Sequence, residues 1–221
     1  PISFLTEESG LSNPYIMSID GDADGDLWLA TYGGGVNRLS GGDIDVWDQI
    51  GNLKIDFVYS IRSNKSGSVW IGTDSDGLIN LDLSGKKIKR YTRESGLADN
   101  TIRSLYIDSN GLLWIGTESK GLINFDGNTF RSFLGNSELS AGYISCIAED
   151  SEGDIWVGTD GGGVFEVSDD EVKQYSLITG FFSDNIVSLH VDRKDGVWVG
   201  SQGSGVARIV SDSNFVVFFV L

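Results

Sequence analysis

Three aspartates alternate in the segment DGDADGDLW, at Asp20, Asp22 and Asp24, and Gly25 follows them. Carboxylates at alternating positions before a glycine are typical of the start of a calcium-binding loop. Such a loop also needs a bidentate glutamate at its twelfth position, where this sequence has Thr31. The alternative is an acidic turn between two strands, because aspartate and glycine are common hairpin-turn residues. The rest of the chain decides between the two, because the segment recurs.

Five tryptophans recur with a nearly constant period. They are Trp28, Trp70, Trp114, Trp156 and Trp198, at spacings of 42, 44, 42 and 42 residues. An apolar residue stands nine positions before each one, a threonine or serine three positions after it, and a glycine seven positions after it. The sixth tryptophan, Trp47, lies outside this register. The chain is therefore five adjacent repeats.

The acidic segment has a counterpart in every repeat. An aspartate or asparagine stands six residues before each tryptophan, at Asp22, Asn64, Asp108, Asp150 and Asp192. A glycine stands three residues before the tryptophan in four repeats, and Asp195 replaces it in the fifth. The position of Asp20 is not acidic elsewhere, where Arg62, Tyr106, Ala148 and His190 occupy it. We therefore interpret the segment as a turn and predict no metal site and no cofactor.

Each repeat is predicted to form four short strands, which we call A to D in chain order. In the third repeat these are TIRSLYI, LLWIGT, GLINF and TFRSF, rich in β-branched and aromatic residues and separated by Gly, Asn, Asp and Ser. The tryptophan lies on strand B, where its ring is expected to pack between neighbouring sheets. Four strands in a repeat of roughly 40 residues indicate an all-β fold, a β-propeller of four-stranded antiparallel blades.

The repeats set the expected domain organisation. We predict one β-propeller domain over residues 1–221. Its repeat units cover about 10–50, 51–95, 96–136, 137–179 and 180–221, and residues 1–9 are the strand D of a preceding or closing blade.

Charge and cysteine content exclude several classes of function. The 32 acidic and 16 basic residues give a formal net charge of −16, which disfavours binding to nucleic acid and to anionic membranes. Cys146 is the only cysteine, so neither an internal disulfide nor a cysteine-based zinc cluster can form. The 30 glycines fit a fold with many tight turns.

The unit GLADNTIRSLYIDSNGLLWIGTESKGLINFDG resembles the two-component regulator propeller repeat. The matching elements are GL-x-x-N before strand A, D-x-x-G-x-L/I-W-I/V-G-T across strands A and B, and G-L/V at the start of strand C. The resemblance covers essentially the whole chain. It implies the periplasmic or extracellular sensor part of a bacterial hybrid histidine kinase or diguanylate cyclase. In many members from gut bacteria the signal is an oligosaccharide, so the resemblance also implies a small-molecule or oligosaccharide ligand.

The chain departs from the family in its number of repeats. Members often carry two seven-bladed propellers, then a small β-sandwich and one transmembrane helix, whereas this chain has five repeats and none of those other parts. Both ISFL (2–5) and NFVVFF (214–219) are predicted to be a strand D, and a closed ring needs only one of them. Two arrangements stay open: a closed five-blade ring, or an arc of a larger ring. The start PISFLTEESG lacks signal-peptide features, and NFVVFFVL is too short to span a bilayer.

The variable loops are the expected functional surface. Strands alternate in direction, so the D-to-A and B-to-C loops lie at one end of the sheets, which we call the loop face. We predict a polar, aromatic-edged ligand site there, around the mouth of a central channel. Its residues are Tyr15, Tyr32, Asp74, Glu118, Tyr143, Asp160 and Gln202, with Phe57 and Asn185 nearby. The alternative for each residue is a solvated loop position.

Catalysis has little support in the sequence. His190 is the only histidine, so neither a Ser-His-Asp set nor the paired histidines of propeller lyases can be assembled. Asp74, Glu118 and Asp160 could supply a carboxylate pair for sugar chemistry, but they recur as repeat positions. We therefore predict a non-enzymatic ligand sensor. The alternative is a scaffold that binds another protein or itself through blade edges such as NFVVFFVL; a carbohydrate-active lyase or hydrolase is the least supported.

Overall fold

The computed structural model describes residues 4–82, 87–133, 139, 142–168, 171–211 and 214–218. Backbone contacts divide the chain into two compact units, residues 1–105 and 106–221. We describe each unit by itself. Among the described residues, no helix has the length and apolar character that crossing a membrane requires.

The first unit contains two four-stranded antiparallel sheets. The first sheet pairs in the order β1-β2-β3-β4, and the second pairs in the order β7-β8-β9-β10, with a two-stranded ribbon between them in the chain. The strands are β1 (Ile16–Gly21), β2 (Leu27–Thr31), β3 (Val36–Ser40), β4 (Asp43–Trp47), β5 (Gln49–Ile50), β6 (Leu53–Lys54), β7 (Val58–Ser63), β8 (Ser68–Thr73), β9 (Leu78–Asp82) and β10 (Lys87–Tyr91). The division between the units falls within β11 (Ile102–Ile107).

The second unit repeats this pattern. Its third sheet pairs in the order β12-β13-β14, its fourth in the order β15-β16-β17-β18, and its fifth in the order β19-β20-β21-β22. The strands are β12 (Leu113–Thr117), β13 (Leu122–Phe125), β14 (Phe130–Ser132), β15 (Tyr143–Glu149), β16 (Ile155–Asp160), β17 (Val164–Val167), β18 (Val172–Tyr175), β19 (Ile186–Val191), β20 (Val197–Ser201), β21 (Val206–Ser211) and β22 (Asn214–Phe218). The all-β, antiparallel, repeating architecture is confirmed, and the third-repeat strands agree with the prediction to within two residues.

The core of each unit lies between adjacent sheets, where the tryptophans were expected. Trp28 is fully buried in one apolar cluster with Ile61 and Val69 of the second sheet. In the second unit, Trp156 of the fourth sheet shares a cluster with Val197 of the fifth. Successive side chains of a strand point to opposite faces of its sheet. A face on which another sheet packs therefore carries apolar residues.

The segments before strand A differ from the prediction in one place. The predicted strand over residues 1–9 is wrong for residues 4–9, because residues 4–6 form no strand and Glu7–Ser9 form a short 3-10 helix; residues 1–3 lie outside the described part. Equivalent 3-10 helices occur at Arg93–Ser95 and Leu177–Thr179, each ended by a glycine with positive φ. Such turns reverse the chain between strand D and the next strand A. The predicted strand in 214–219 is confirmed as β22.

Candidate functional site

The acidic segment of the opening motif is a structural turn. Asp22 Oδ1 accepts hydrogen bonds from the backbone N–H groups of Asp24 and Asp26, both at 3.0 Å. Asp22 Oδ2 accepts a hydrogen bond from the indole N–H of Trp28 at 2.9 Å. Burial raises the pKa of Asp22, but the bonds from Trp28 and the backbone outweigh it, and the pKa lies below its ordinary value. The predicted turn is therefore confirmed.

The bond from the tryptophan to the turn recurs wherever the turn begins with aspartate. The indole N–H groups of Trp114, Trp156 and Trp198 donate to the aspartate six residues earlier, at 2.8, 2.7 and 2.8 Å. In the second repeat Asn64 keeps both backbone bonds through its Oδ1. The sequence reasoning treated the aspartate and the tryptophan separately and missed this bond, although their constant six-residue offset was a usable signal.

The three aspartates of the opening motif do not converge on one point. Asp20 Oδ2 accepts hydrogen bonds from the backbone N–H and the hydroxyl of Ser63 in the second sheet, at 2.6 and 3.0 Å. Asp22 is turned into its own loop. Among the residues that the structure describes, no group of three or more His, Cys, Asp or Glu is placed to hold a metal ion.

The B-to-C loops of the loop face share one internal brace. In the first repeat the Thr31 hydroxyl donates to the carbonyl of Gly35 at 2.8 Å and accepts from the N–H of Gly34 at 3.1 Å. The same pair of bonds forms at Thr73, Thr117, Thr159 and Ser201. The recurring threonine therefore holds the loop that carries the variable residues.

These loops are also hydrogen-bonded to the D-to-A segment that follows the sheet in the chain. The carbonyl of Asp56 accepts the N–H groups of Gly33 and Gly35, at 2.9 and 3.1 Å. In the second unit the carbonyl of Asp184 accepts those of Gly161 and Gly163, at 3.0 and 2.9 Å. The loop face is thus braced by backbone bonds, which reduces the ordering cost of any ligand that binds there.

In the first unit the structure brings three predicted aromatic residues together at the surface. The backbone N–H of Tyr32 donates to the carbonyl of Tyr15 at 2.9 Å, and Tyr32 forms an antiparallel bridge with Phe57. The ring centroids of Tyr32 and Phe57 are 4.8 Å apart. All three side chains are exposed, Tyr15 by 70% and the other two by more than 40%.

Two residues that the sequence reasoning missed complete this surface. The hydroxyl of Tyr59 donates to Asp74 Oδ1 at 2.8 Å, and its ring centroid lies 6.0 Å from that of Tyr32. The guanidinium carbon of Arg103 lies 3.8 Å from the Tyr59 ring centroid, a cation–π contact. Burial and the bond to Asp74 raise the pKa of Tyr59 to about 12, although Arg103 opposes this. The hydroxyl therefore stays protonated at neutral pH and remains a donor to Asp74. We call Tyr15, Tyr32, Phe57, Tyr59, Asp74 and Arg103 the aromatic platform.

A β-bulge explains why Tyr59 was missed. The register of β7 against β8 shifts between Val58 and Ser60, so Tyr59 is the extra residue. Equivalent shifts in other sheets leave Met17, Ser145 and Val187 as the extra residues. Bulges turn a side chain away from strand alternation and are common beside functional sites. The available signal was that Tyr59 and Arg103 both stand eleven residues before a tryptophan.

In the second unit the predicted residues form a strip of their own unit. Tyr143 pairs with Asp160 in the β15–β16 ladder, and Asp160 forms an antiparallel bridge with Asn185. The backbone N–H of Gln202 donates to the carbonyl of Asn185 at 3.0 Å. Asp160, Gln202 and Glu118 are exposed, whereas Tyr143 is half-buried. The structure thus places Tyr143, Asp160 and Gln202 along one line of backbone bonds.

Two other features of the second unit bear on its chemistry. His190 is exposed on β19 opposite Trp198, which gives it the strand position expected from the sequence. A cavity of about 660 Å³ lies between the third and fourth sheets and is lined by Trp114, Phe133 and Asp154 among others. The sequence reasoning missed this cavity because it is formed by residues of different sheets.

The repeated sheets of this structure match a known family of repeat proteins. The two component regulator propeller model matches residues 10–33, 96–119 and 138–161. Three segments of the chain are thus similar to the two component regulator propeller repeat, which confirms the resemblance seen in the sequence. No curated protein matches the chain.

Solved structures share this propeller-like fold. The extracellular domain of the hybrid two component system BT3049 from B. thetaiotaomicron is 24% identical with a TM-score of 0.74, over 89% of this chain and 27% of that one. The extracellular domain of the one component system BT4673 from the same organism is 21% identical with a TM-score of 0.77, over 94% and 29%. Virginiamycin B lyase from Staphylococcus aureus is 16% identical with a TM-score of 0.74, over 92% and 69%. The chain spans less than a third of the two regulator domains.

Proposed function

We propose that this chain is a non-enzymatic, ligand-sensing part of the extracytoplasmic region of a bacterial two-component regulator, and that its loop face binds an oligosaccharide. The observation that carries the proposal is the aromatic platform of the first unit, where exposed rings lie beside a carboxylate held by a phenol. The likeness to extracellular domains of two-component and one-component systems supports a location outside the cytoplasm.

The chemistry of the platform suits a sugar. The apolar face of a pyranose ring can stack on the exposed rings of Tyr32 and Phe57, which are 4.8 Å apart. The carboxylate of Asp74 accepts the Tyr59 hydroxyl at Oδ1 and can also accept hydrogen bonds from sugar hydroxyls, because an ionised carboxylate has about four acceptor positions. Such a site needs little rearrangement, since backbone bonds already brace the loops.

The predicted residues of the second unit offer polar contacts of their own. Asp160, Gln202 and Glu118 are exposed carboxylate and amide side chains, and Tyr143 adds a ring beside Asp160. The net charge of −16 disfavours acidic sugars, so we propose neutral oligosaccharides. Ligand binding would then shift the population between two arrangements of the whole receptor.

The test is direct binding of the whole chain to short oligosaccharides of glucose, mannose and galactose by calorimetry. Tyr32→Ala should weaken binding by about 5-fold or more, since stacking on an aromatic ring contributes about 1 kcal/mol. The matched control is Val46→Ala, a similarly exposed apolar side chain on β4 of the same sheet, which should leave binding unchanged. Equal losses in both variants, or no binding by the unmodified chain, would refute the proposal.

The competing proposal is a carbohydrate-active lyase or hydrolase. Virginiamycin B lyase shares the fold, but its 16% identity carries over the fold alone and not its reaction. The candidate carboxylates are Asp74 in the first unit, and Glu118 and Asp160 in the second. Product release from the same oligosaccharides that is lost in Asp74→Asn or in Asp160→Asn would favour the enzyme, whereas saturable binding without product favours the sensor.

A further inference from the structure

Each repeat pairs its tryptophan with the residue ten positions later, on strand C. In the first and fifth repeats this residue is Arg38 and Arg208. Their guanidinium carbons lie 5.4 and 5.8 Å from the ring centroids of Trp28 and Trp198. A cation within about 6 Å of an indole centroid is attracted to the ring. The chain thus shows twice that a guanidinium group fits over the tryptophan of a repeat sheet.

A carboxylate of the A-to-B turn holds each of these guanidinium groups. Arg38 Nε donates to Asp26 Oδ2 at 2.9 Å, and Arg208 Nε donates to Asp192 Oδ2 at 2.8 Å. In both repeats, therefore, one arginine contacts an indole ring and a turn carboxylate together.

The third repeat has the indole ring but not the arginine. Asn124 takes the arginine position and pairs with Trp114 in the β12–β13 ladder. Both residues line the cavity of about 660 Å³ between the third and fourth sheets, which we call the Trp114 cavity. Binding sites for small molecules have volumes of about 300–1,000 Å³, so the cavity can hold a side chain together with neighbouring peptide groups.

The fourth sheet supplies the carboxylates of the Trp114 cavity. The third repeat has Leu112 where Asp26 stands in the first, but Glu152 and Asp154, from the A-to-B turn of the fourth repeat, line the cavity. Ionised carboxylates accept several hydrogen bonds each. The nearly buried Val167 adds an apolar wall, on which the methylene groups of an arginine side chain can pack. The cavity therefore combines an indole ring, carboxylates and apolar surface.

One cation of the chain also lines the Trp114 cavity. The side chain of Arg131 on β14 is 72% exposed, and its Nη2 lies 3.8 Å from Asp126 Oδ2 in the C-to-D turn. Two carboxylates and one guanidinium thus line the cavity, and the whole chain has a formal net charge of −16. This balance favours a cationic ligand.

We propose that the Trp114 cavity binds an arginine side chain of a partner peptide. The guanidinium group lies over the indole ring of Trp114 and donates to Glu152 and Asp154, in the manner of the two internal arginines. The Asn124 amide offers donors and an acceptor to the peptide backbone. The site lies in the second unit beside A-to-B turns, so it does not rest on oligosaccharide binding by the loop face.

The first test is calorimetric titration of the whole chain with a blocked Gly-Arg-Gly peptide and its citrulline counterpart. Citrulline has nearly the shape of arginine without the charge, so its peptide should bind about 10-fold more weakly or worse. Free arginine should also bind more weakly than the arginine peptide, because it lacks the peptide groups that contact Asn124. Equal binding of the arginine and citrulline peptides, no binding of the arginine peptide, or binding of free arginine as tight as that of the peptide would overturn the proposal.

The second test fills the cavity from within the chain. Asn124→Arg supplies an internal guanidinium, as in the first and fifth repeats, and should weaken binding of the arginine peptide by about 10-fold or more. The matched control is Asn128→Arg, which adds the same charge at an exposed position of the C-to-D turn and should change binding by less than about 2-fold. Equal losses in the two variants would mean that net charge, and not the cavity, decides binding, and would overturn the proposal.

A third variant serves if Asn124→Arg fails to match the circular dichroism of the unmodified chain. Glu152 is exposed, so Glu152→Gln leaves the fold intact and removes one carboxylate from the cavity. It should weaken binding of the arginine peptide by about 3-fold or more and leave that of the citrulline peptide unchanged. Unchanged binding of the arginine peptide would overturn the assignment of the guanidinium to this cavity.

Discussion

Replacing Asp22 by asparagine tests whether the aspartate of the turn acts mainly through the tryptophan. Asp22→Asn can keep the two backbone bonds through its Oδ1, as Asn64 does in the second repeat. Its Nδ2 is a donor and cannot accept the indole N–H of Trp28. Trp28 is fully buried, so the change leaves a buried donor without its acceptor.

The expected loss of free energy of unfolding follows from the hydrogen bonds that each variant removes. A hydrogen bond to a charged acceptor contributes about 1.5–3 kcal/mol, so Asp22→Asn should lower the free energy of unfolding by about 2 kcal/mol. Asp22→Ala also removes two partly exposed backbone bonds of about 1 kcal/mol each and should lose about 4 kcal/mol. For a chain of this size, 2 kcal/mol corresponds to a fall in Tm of roughly 4–8 °C.

The assay is urea unfolding followed by tryptophan fluorescence, with Asp24→Asn as the control in the same turn. Asp24 uses only its backbone N–H in the turn, so its replacement should change stability by less than about 0.5 kcal/mol. Equal losses in Asp22→Asn and Asp24→Asn, together with a rise in Tm on adding calcium, would mean that the segment is a metal loop. That result would refute the turn interpretation.

Three further predictions concern single residues. Gly77→Ala should lower the free energy of unfolding, measured in urea, by more than about 3 kcal/mol, because φ is +81° and the new Cβ would overlap a backbone carbonyl. The control is Gly127→Ala, where φ is +94° and the space is open, and its free energy of unfolding should fall by only about 1 kcal/mol. The hydrogen bond from Arg208 holds the pKa of Asp192 below its ordinary value, so ionised Asp192 stabilises the folded chain. This stabilisation is complete above about pH 5 and is lost as the pH falls through the folded pKa. Asp192→Asn should therefore flatten the decline in urea midpoint between about pH 6 and pH 3, and an unchanged decline would contradict the prediction. Burial raises the pKa of Cys146 to about 11, so a thiol reagent at pH 8 should label the folded chain much more slowly than the urea-unfolded chain, and equal labelling rates would refute this.

The fold could be predicted from the sequence because every repeat carries the same local information. The constant spacing of Trp28 and its four equivalents, with turn residues at fixed offsets, places the strands to within one or two residues. The 3-10 helix at Glu7–Ser9 was missed because the segment was interpreted as part of strand D, although equivalent turns recur at Arg93–Ser95 and Leu177–Thr179. The ribbon of β5 and β6 was missed because, among the described residues, it forms after the first sheet and does not recur.

The candidate site could be predicted only in part. Tyr15 and Tyr32 meet as expected, because their loops are adjacent in every antiparallel sheet of this kind. Tyr59 and Arg103 were missed because each lies on a strand A, where simple alternation gives no reason for the two side chains to meet. The Tyr59 hydroxyl reaches Asp74 only because the bulge in β7 adds a residue next to the loop face.

The sequence by itself determined the repeat, the strand order and the identity of the turn and brace residues, because these depend on contacts within about 15 residues along the chain. The tertiary structure alone decided which equivalent residues differ in environment. Ile19 and Ile61 hold the same place in the repeat, yet one is 56% exposed and the other fully buried. That difference depends on whether a second sheet packs on the first, and no local pattern encodes the neighbour of a sheet.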